Sequence, residues 1–412
     1  MTEMQPGLRP IEAAERIGTM DVLRGFALLG ILLMNIEAFS GPMMDAFTGL
    51  NPALTGADRI ADAAIYILVQ GKFYTLFSLL FGMGFAVMSQ RADARGQAFG
   101  AVYLRRSAVL MGFGLIHALL IWSGDILLVY GLLSFLLLAF RRMPAKWLPW
   151  LAIVAYLVPS GLMGLLGLLG SAMQLDPTTA TEWNREMAKM AAQMAQMNEA
   201  QQLAYGAGTW WDATLQRMRD TGFMLSNLPM MGPMVFAMFL FGAWFVKSGA
   251  IASPAQFPRL FAALRWVALP MGLASMGLSF VLQPTMHFDT VNVTSAFAFF
   301  LSSLGSVLMA FGYMAWVVRF AAGGGGSGWL APAGRMALTN YLMQSVICTL
   351  VFYAYGLGYF EQMPRAWQAV FAVAVFLLQV LWSRAWLSRF RFGPAEWLWR
   401  SLTYLRAQPM RR

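Results

Sequence analysis

Long apolar runs recur along this chain, and shorter polar segments separate them. A helix that crosses the hydrocarbon core of a bilayer needs about 20 apolar residues. The runs therefore predict an all-α protein, a polytopic membrane helix bundle of about ten spans. The predicted spans are Val22–Phe39, Phe73–Met88, Leu104–Trp122, Ile126–Phe140, Leu148–Leu169, Leu228–Phe245, Leu260–Leu282, Val293–Val318, Met336–Tyr355 and Trp367–Leu387.

The basic residues are distributed unevenly between the two sides of these spans. With the N-terminus placed inside the cell, 22 of the 29 Lys and Arg residues fall in cytoplasmic segments or span ends, and 7 fall outside. Cytoplasmic loops of membrane proteins carry such an excess of positive charge. The net charge of +10 therefore reflects topology rather than nucleic-acid binding. It predicts that both termini are cytoplasmic.

Composition supports a lipid environment and excludes several kinds of chemistry. The chain is 59% hydrophobic and 12% charged, whereas soluble domains carry roughly 25% charged residues. One Cys cannot form an internal disulfide, and two His argue against a multi-histidine metal site. We therefore predict the lipid bilayer as the main partner and no metal site.

Polar segments divide the chain into four parts. Residues 1–170 form an N-terminal five-span half, and residues 228–389 form a C-terminal five-span half. Between them, residues 171–227 are predicted to be a helical periplasmic insertion, and residues 390–412 a cytoplasmic amphipathic tail. The glycine-rich stretch Gly323–Gly328 lacks the Lys of a phosphate loop and is interpreted as a hinge.

Ionisable residues inside membrane spans are costly and often functional, and His117 is the strongest candidate. It follows Arg106 by eleven residues, which places both on one face of a helix about 16 Å apart. Arg24 and Asn35 repeat this spacing in the first span. Arg suits phosphate recognition, but an Arg at a span boundary also anchors to lipid headgroups. A lone His can be hydrogen-bonded within the bundle, and Asn35 can join helices.

Other polar residues have a functional and a structural interpretation. Asp125 is expected about 7 Å or more above His117 along the helix axis. There it either caps the next helix or orients the imidazole, directly or through a bridging water. Glu396 fits either an interfacial helix or a lid over an inner site. The predicted substrate contacts are Asn35, Lys72, Arg217, Asn340, Tyr341 and Gln344. Interhelical hydrogen bonding is the alternative for the polar group on the ninth span. An aromatic platform for the acceptor is proposed from Tyr205, Trp210, Trp211 and Arg217, with interfacial anchoring by the aromatic rings as the alternative.

Four motifs support a resemblance to a known family. They are FRFGPAEWLWRSLTY at Phe390–Tyr404, GRMALTNYLMQS at Gly334–Ser345, DVLRGFALLGILLMNI at Asp21–Ile36 and RRSAVLMGFGLIHALLIWSGDIL at Arg105–Leu127. Together they resemble the YeiB family of bacterial inner-membrane proteins over nearly the whole chain. The first-span motif is also similar to the heparan-α-glucosaminide N-acetyltransferase group, within a transmembrane acyltransferase superfamily.

The resemblance implies an acyltransferase that moves an acyl group from cytoplasmic acetyl-CoA or another acyl-CoA to a hydroxyl or amine acceptor outside. It also implies a location in the bacterial inner membrane and a homodimer. The histidine motif of the characterised enzymes does not match Phe73–Phe85, so the catalytic assignment of His117 and Asp125 rests on their placement here. The predicted donor-binding residues are Arg24, Arg105, Arg106 and Arg335. A transporter or flippase for a small solute or lipid, using the same polar residues, is the alternative, and a non-catalytic scaffold is a third.

Overall fold

The computed structural model describes residues 17–286, 289–322 and 327–412. Most of these residues are helical, and the described part contains no β-strand. His287, and residues 323–326 of the predicted glycine-rich hinge, lie outside the described residues. The all-α membrane bundle predicted from the apolar runs is confirmed.

We number the principal helices α1 to α14 in chain order. They are α1 Gly18–Ser40, α2 Gly56–Leu68, α3 Lys72–Ala94, α4 Gly100–Leu120, α5 Leu127–Ala139, α6 Leu148–Met173, α7 Pro177–Gly206, α8 Trp210–Ser226, α9 Leu228–Lys247, α10 Pro258–Leu282, α11 Val293–Ala322, α12 Ala337–Phe352, α13 Arg365–Arg389 and α14 Pro394–Tyr404. A one-turn helix, Ala331–Arg335, precedes α12.

Seven helical segments of the described chain are long and apolar enough to cross a membrane. They include α1, α3, α6, α9, α10, α11 and α13. The other three predicted spans correspond to α4, whose two arginines and one histidine reduce its apolar character, and to the shorter apolar helices α5 and α12. At 1.5 Å per residue, α5 and α12 extend for only about 20 and 24 Å, less than a typical hydrocarbon core of about 30 Å.

Small residues allow the central helices to approach closely. A Cβ atom on Gly82 of α3 would collide with the carbonyl of Phe239 on α9, and one on Gly242 of α9 would collide with the carbonyl of Leu79. Membrane helices associate through such close van der Waals packing, because lipid provides no hydrophobic force between them. By contrast, α6 and α10 expose most of their apolar surface, as lipid-facing helices do.

The insertion packs against one end of the bundle. Its helix α7 begins at the Asp176 cap, and α8 begins with a reciprocal capping box between Thr209 and Asp212. Gln201 of α7 accepts a hydrogen bond from the backbone N–H of Met43, just beyond α1. We call this end of the bundle the insertion end, and the opposite end, which carries Arg24 and Arg106, the arginine end.

Candidate functional site

A tight hairpin between α4 and α5 builds the centre of the site. Helix α4 ends where the amides of Ile121 and Trp122 both bond to the carbonyl of His117. Gly124 lies against the Trp122 ring, where any side chain would collide. A Cβ on Gly114 of α4 would likewise collide with the backbone of Leu128 on α5. These glycines let the chain reverse and bring α5 directly against α4.

The hairpin places His117 and Asp125 in direct contact. Nδ1 of His117 lies 2.7 Å from Oδ2 of Asp125, and both side chains are about 1% exposed. This corrects the axial separation of about 7 Å or more that the sequence predicted, because the turn after α4 folds back toward the histidine. Oδ1 of Asp125 accepts the amide of Leu128 at 2.6 Å. Asp125 therefore caps the start of α5 and also contacts the imidazole.

This contact determines which nitrogen of the neutral imidazole carries the proton. A carboxylate accepts, so Nδ1–H of His117 donates to Asp125, and in the neutral ring Nε2 carries the free lone pair. Nε2 is buried without a hydrogen-bond partner among the described residues. The Tyr341 ring lies 5.1 Å and the Trp122 ring 6.4 Å from the imidazole, centroid to centroid. The Tyr341 hydroxyl and the Trp122 indole N–H are also buried and unpartnered in the described chain.

Helix α8 of the insertion covers the hairpin from the insertion end. Arg217 is fully buried and donates from Nε to the carbonyl of Leu119, two residues after His117. Its Nη2 bonds to the Thr214 hydroxyl, while Nη1 has no partner in the described part of the protein. The predicted substrate contact Arg217 therefore lies next to the hairpin, whereas Trp210 and Trp211 of the proposed aromatic platform are exposed.

Asp220, one turn after Arg217, was not predicted from the sequence. Its carboxylate accepts from the hydroxyls of Tyr205 and Ser123 and from the amide of Gln216. Burial raises the pKa of Asp220, and these hydrogen bonds oppose that rise. Ser123 belongs to the turn between His117 and Asp125, so this cluster fastens the insertion to the hairpin. No motif marks Asp220, because its partners come from α7, α8 and the turn.

The four predicted donor-binding arginines lie at the arginine end. Nη1 of Arg24 donates to Asp21 at 2.7 Å. Nε of Arg105 donates to the carbonyl of Thr403 at 3.1 Å, and the guanidinium of Arg106 lies 3.7 Å from the centroid of the Trp399 ring. Arg335 is half-buried at the end of the one-turn helix that packs against α1.

Two hydroxyls lie at the same level as these arginines. The Tyr103 hydroxyl and the Ser107 hydroxyl are buried within one turn of Arg106, and neither has a hydrogen-bond partner in the described residues. Helix α4 continues unbroken from this level to His117, a rise of about 16 Å from Arg106. One helix thus carries basic and hydroxyl groups at the arginine end and the imidazole toward the insertion end.

The tail helix α14 is anchored to the bundle through Glu396. Oε1 of Glu396 accepts the amides of Leu338 and Thr339 at 2.7 and 3.1 Å, and Oε2 accepts the Thr339 hydroxyl at 2.6 Å. The carboxylate therefore caps the start of α12, two residues before Tyr341. Glu396 is buried, and its carboxylate joins the tail helix α14 to α12.

Several of the predicted substrate contacts form hydrogen bonds within the bundle instead of lying beside His117. Asn340 donates to the Ser383 hydroxyl at 2.9 Å, and Gln344 donates to Gln379 at 2.9 Å, so both join α12 to α13. Lys72 is fully buried and donates to the carbonyl of Tyr66. Asn35 is half-buried on α1. Of the polar group on α12, only Tyr341 contacts the histidine.

A buried ionic cluster at the insertion end was also not predicted from the sequence. Arg365 at the start of α13 donates from Nη2 to Glu37 at 2.8 Å and from Nε to Asp62 at 3.0 Å. Its side chain is only 5% exposed. Glu37 indicated that a partner must exist, because an acidic residue inside a span needs one. That partner, Arg365, lies 328 residues away in the sequence. The cluster ties α1, α2 and α13 together.

The described residues hold no group of three or more His, Cys, Asp or Glu side chains that could bind a metal ion. The single cysteine, Cys348, is free and buried in α12.

Comparison with known proteins gives matches across nearly the whole chain. Residues 245–406 match a family described as "Protein of unknown function (DUF418)". The chain is 34% identical to the "Uncharacterized protein YxaH" of Bacillus subtilis (strain 168), with 98% of each chain covered. It is 33% identical to the "Uncharacterized protein YeiB" of Escherichia coli (strain K12), with 96% of this chain and 98% of that protein covered. No solved structure matches.

Proposed function

This chain belongs to the YeiB family, and we propose that it is a transmembrane acyltransferase of the bacterial inner membrane. The arginine end would face the cytoplasm and receive an acyl-CoA donor, and the insertion end would present a hydroxyl or amine acceptor. The observation that carries the proposal is the buried pair of His117 and Asp125, in which Nε2 of the imidazole has no partner in the described protein.

His117 has the arrangement of a general base. With Nδ1–H held by Asp125, the lone pair of Nε2 is free to take a proton from the acceptor's O–H or N–H group as that atom bonds to the thioester carbonyl carbon. Nε2 would return the proton to the sulfur as the carbon–sulfur bond breaks, which regenerates the neutral imidazole. Asp125 would hold the ring in this tautomer and stabilise the transient imidazolium, as a carboxylate does in serine-protease triads.

Groups at the arginine end fit the phosphates of the donor. Arg24 and Arg106 both lie at this end, and a guanidinium pairs well with phosphate. Arg105 and Arg335 lie at the same end of the bundle. The unpartnered hydroxyls of Tyr103 and Ser107 would supply further donors beside Arg106. The thioester would then reach along α4 toward His117.

Unpartnered donors near His117 fit an oxygen-rich acceptor. The indole N–H of Trp122, the hydroxyl of Tyr341 and Nη1 of Arg217 are all buried and can all donate. An acceptor that gives one proton to His117 and carries further oxygen atoms would satisfy several of these groups. Sugars and lipid headgroups have this character. A buried donor that stays unpaired costs about 1–3 kcal/mol, which a matching acceptor would recover on binding.

The test compares His117→Ala and Asp125→Asn in membrane vesicles supplied with acetyl-CoA labelled in the acetyl group and a lipid and cell-wall sugar extract as the acceptor pool. Loss of a general base lowers rates by about 100- to 10,000-fold, so His117→Ala should abolish label transfer while coenzyme A still binds. Asp125→Asn should lower the rate less. Tyr156→Phe serves as the control, because it removes one buried hydrogen bond, to Ser303, away from the pair.

Full label transfer by His117→Ala would refute the proposed base. If the wild-type protein instead released no thiol but moved an unmodified solute or lipid across the vesicle, the transporter alternative would replace the enzyme. Equal loss of yield and coenzyme A binding in His117→Ala, with Tyr156→Phe unaffected, would assign His117 to the stability of the bundle.

A further inference from the structure

A basic pocket at the arginine end lies apart from the residues used above. It has a volume of about 460 Å³ and opens between the last turns of α3 and α9 and the segment that connects α5 to α6. Its lining includes Gln90 and Asp93 from α3, Arg141 and Arg142 from the connecting segment, and Lys247 from α9. The volume lies within the usual range for small-ligand sites, about 300–1,000 Å³.

The pocket has a net positive charge of two, since three cations face one carboxylate. Arg141 is held in place by Asp93, by the Ser89 hydroxyl and by the Phe99 ring, whose centroid lies 4.5 Å from its guanidinium. Lys247 donates to the carbonyls of Arg141 and Met143 at 2.6 and 2.8 Å. Two of the three charges are thus fixed before any ligand arrives, which reduces the entropy lost on binding.

Aromatic residues next to the pocket indicate its depth in the membrane. The segment that follows Ala145 on the pocket wall carries Trp147 and Trp150, which are 52% and 65% exposed. Lys146 lies 5.9 Å from the centroid of the Trp147 ring. Exposed Trp beside Lys and Arg is typical of the boundary between lipid headgroups and hydrocarbon. The pocket therefore opens at the level of the headgroup phosphates.

We propose that this pocket binds the phosphate of an anionic phospholipid headgroup, with Arg142 and Lys247 as its principal cations. A phosphodiester matches the excess positive charge and the depth of the opening, and the acyl chains would lie along the exposed apolar face of α6. Asp93 is already paired with Arg141, so the carboxylate does not repel the ligand at full strength. The site is independent of the acyltransferase proposal, since it uses none of the donor-binding arginines.

The probe is short-chain phosphatidylglycerol titrated onto the detergent-purified protein, with lipid adducts counted by native mass spectrometry and phosphatidylcholine as the neutral reference. Each Lys or Arg near a membrane surface contributes about 1 kcal/mol to the binding of anionic lipid, equivalent to about fivefold in affinity. Arg142→Gln should weaken phosphatidylglycerol binding about fivefold. Gln90→Glu adds a negative charge at an exposed position of the same pocket and should weaken it similarly.

Arg389→Gln is the matched control, because Arg389 is an exposed arginine at the end of α13 that does not line the pocket. It should leave binding unchanged. Binding of phosphatidylglycerol no tighter than that of phosphatidylcholine would overturn the site, and equal weakening by all three substitutions would reduce it to general surface charge. Complete displacement of the lipid by an equal concentration of inorganic phosphate would assign the pocket to a soluble phosphate instead.

Discussion

The Glu396 cap gives a prediction whose size follows from its contacts. Glu396→Ala would remove the acceptor of two buried backbone amides, those of Leu338 and Thr339, and of the Thr339 hydroxyl. Each stranded amide costs about 1–3 kcal/mol, so the attachment of the tail helix should weaken by roughly 2–6 kcal/mol. Since about 1.4 kcal/mol is tenfold, the population with a released tail should rise at least about 30-fold.

Limited trypsin digestion measures this population. Arg400 and Arg406 are cleavage sites in or beside α14, and the cleavage rate follows the open population when opening is fast relative to cleavage. Glu396→Gln keeps an oxygen for the two amides and loses mainly the bond from the Thr339 hydroxyl, so it should accelerate cleavage by less than about tenfold. Glu199→Ala, at an exposed position of α7, is the control. Cleavage of Glu396→Ala within about threefold of the wild-type rate would refute the cap.

We also expect the protection of the tail to depend on pH, because Glu396 is a buried carboxyl group. Burial raises the pKa of Glu396 above its ordinary value. A group whose pKa is raised by folding contributes stability that is fully present below its unfolded-state pKa and is lost as the pH rises through its folded-state pKa. Protection of the wild-type tail, measured relative to Glu396→Gln at each pH, should therefore decline as the pH rises. If the protection of the wild-type tail relative to that of Glu396→Gln did not change with pH, this would contradict the inference that burial disfavours the charged form of Glu396.

Three further predictions concern topology, donor binding and the ionic cluster. Reporters fused after Arg142, Lys247 and the C-terminus should lie in the cytoplasm and one near Asn198 outside; a periplasmic C-terminus would overturn the even number of spans. Arg24→Gln or Arg106→Gln should weaken coenzyme A binding about tenfold in a direct binding assay, and unchanged affinity in both would favour lipid anchoring. Arg365→Ala should lower the free energy of unfolding by about 3–5 kcal/mol, because Glu37 and Asp62 remain buried without their partner. Thermal unfolding measures this loss. A midpoint temperature equal to that of the wild type would show that water enters the cluster.

The sequence by itself determined the membrane bundle and the positions of polar groups along each helix. Apolar runs predict spans reliably, because lipid requires every backbone polar group to be satisfied within a helix. The regular rise of an α-helix likewise places Arg106 and His117 on one continuous helix, and α4 runs unbroken through both. These properties depend on local order and need no knowledge of neighbouring helices.

Only the tertiary structure decided which polar groups meet. The contact of Asp125 with His117 depends on how the turn after α4 folds back, which axial counting cannot give. Arg365 meets Glu37 and Glu396 meets Leu338 across 328 and 58 residues. Asn340 and Tyr341 are adjacent in sequence, yet one contacts α13 and the other the histidine. The physical reason is that the rotation and neighbours of a membrane helix are set by close packing at small residues, and each such contact depends on several distant segments at once.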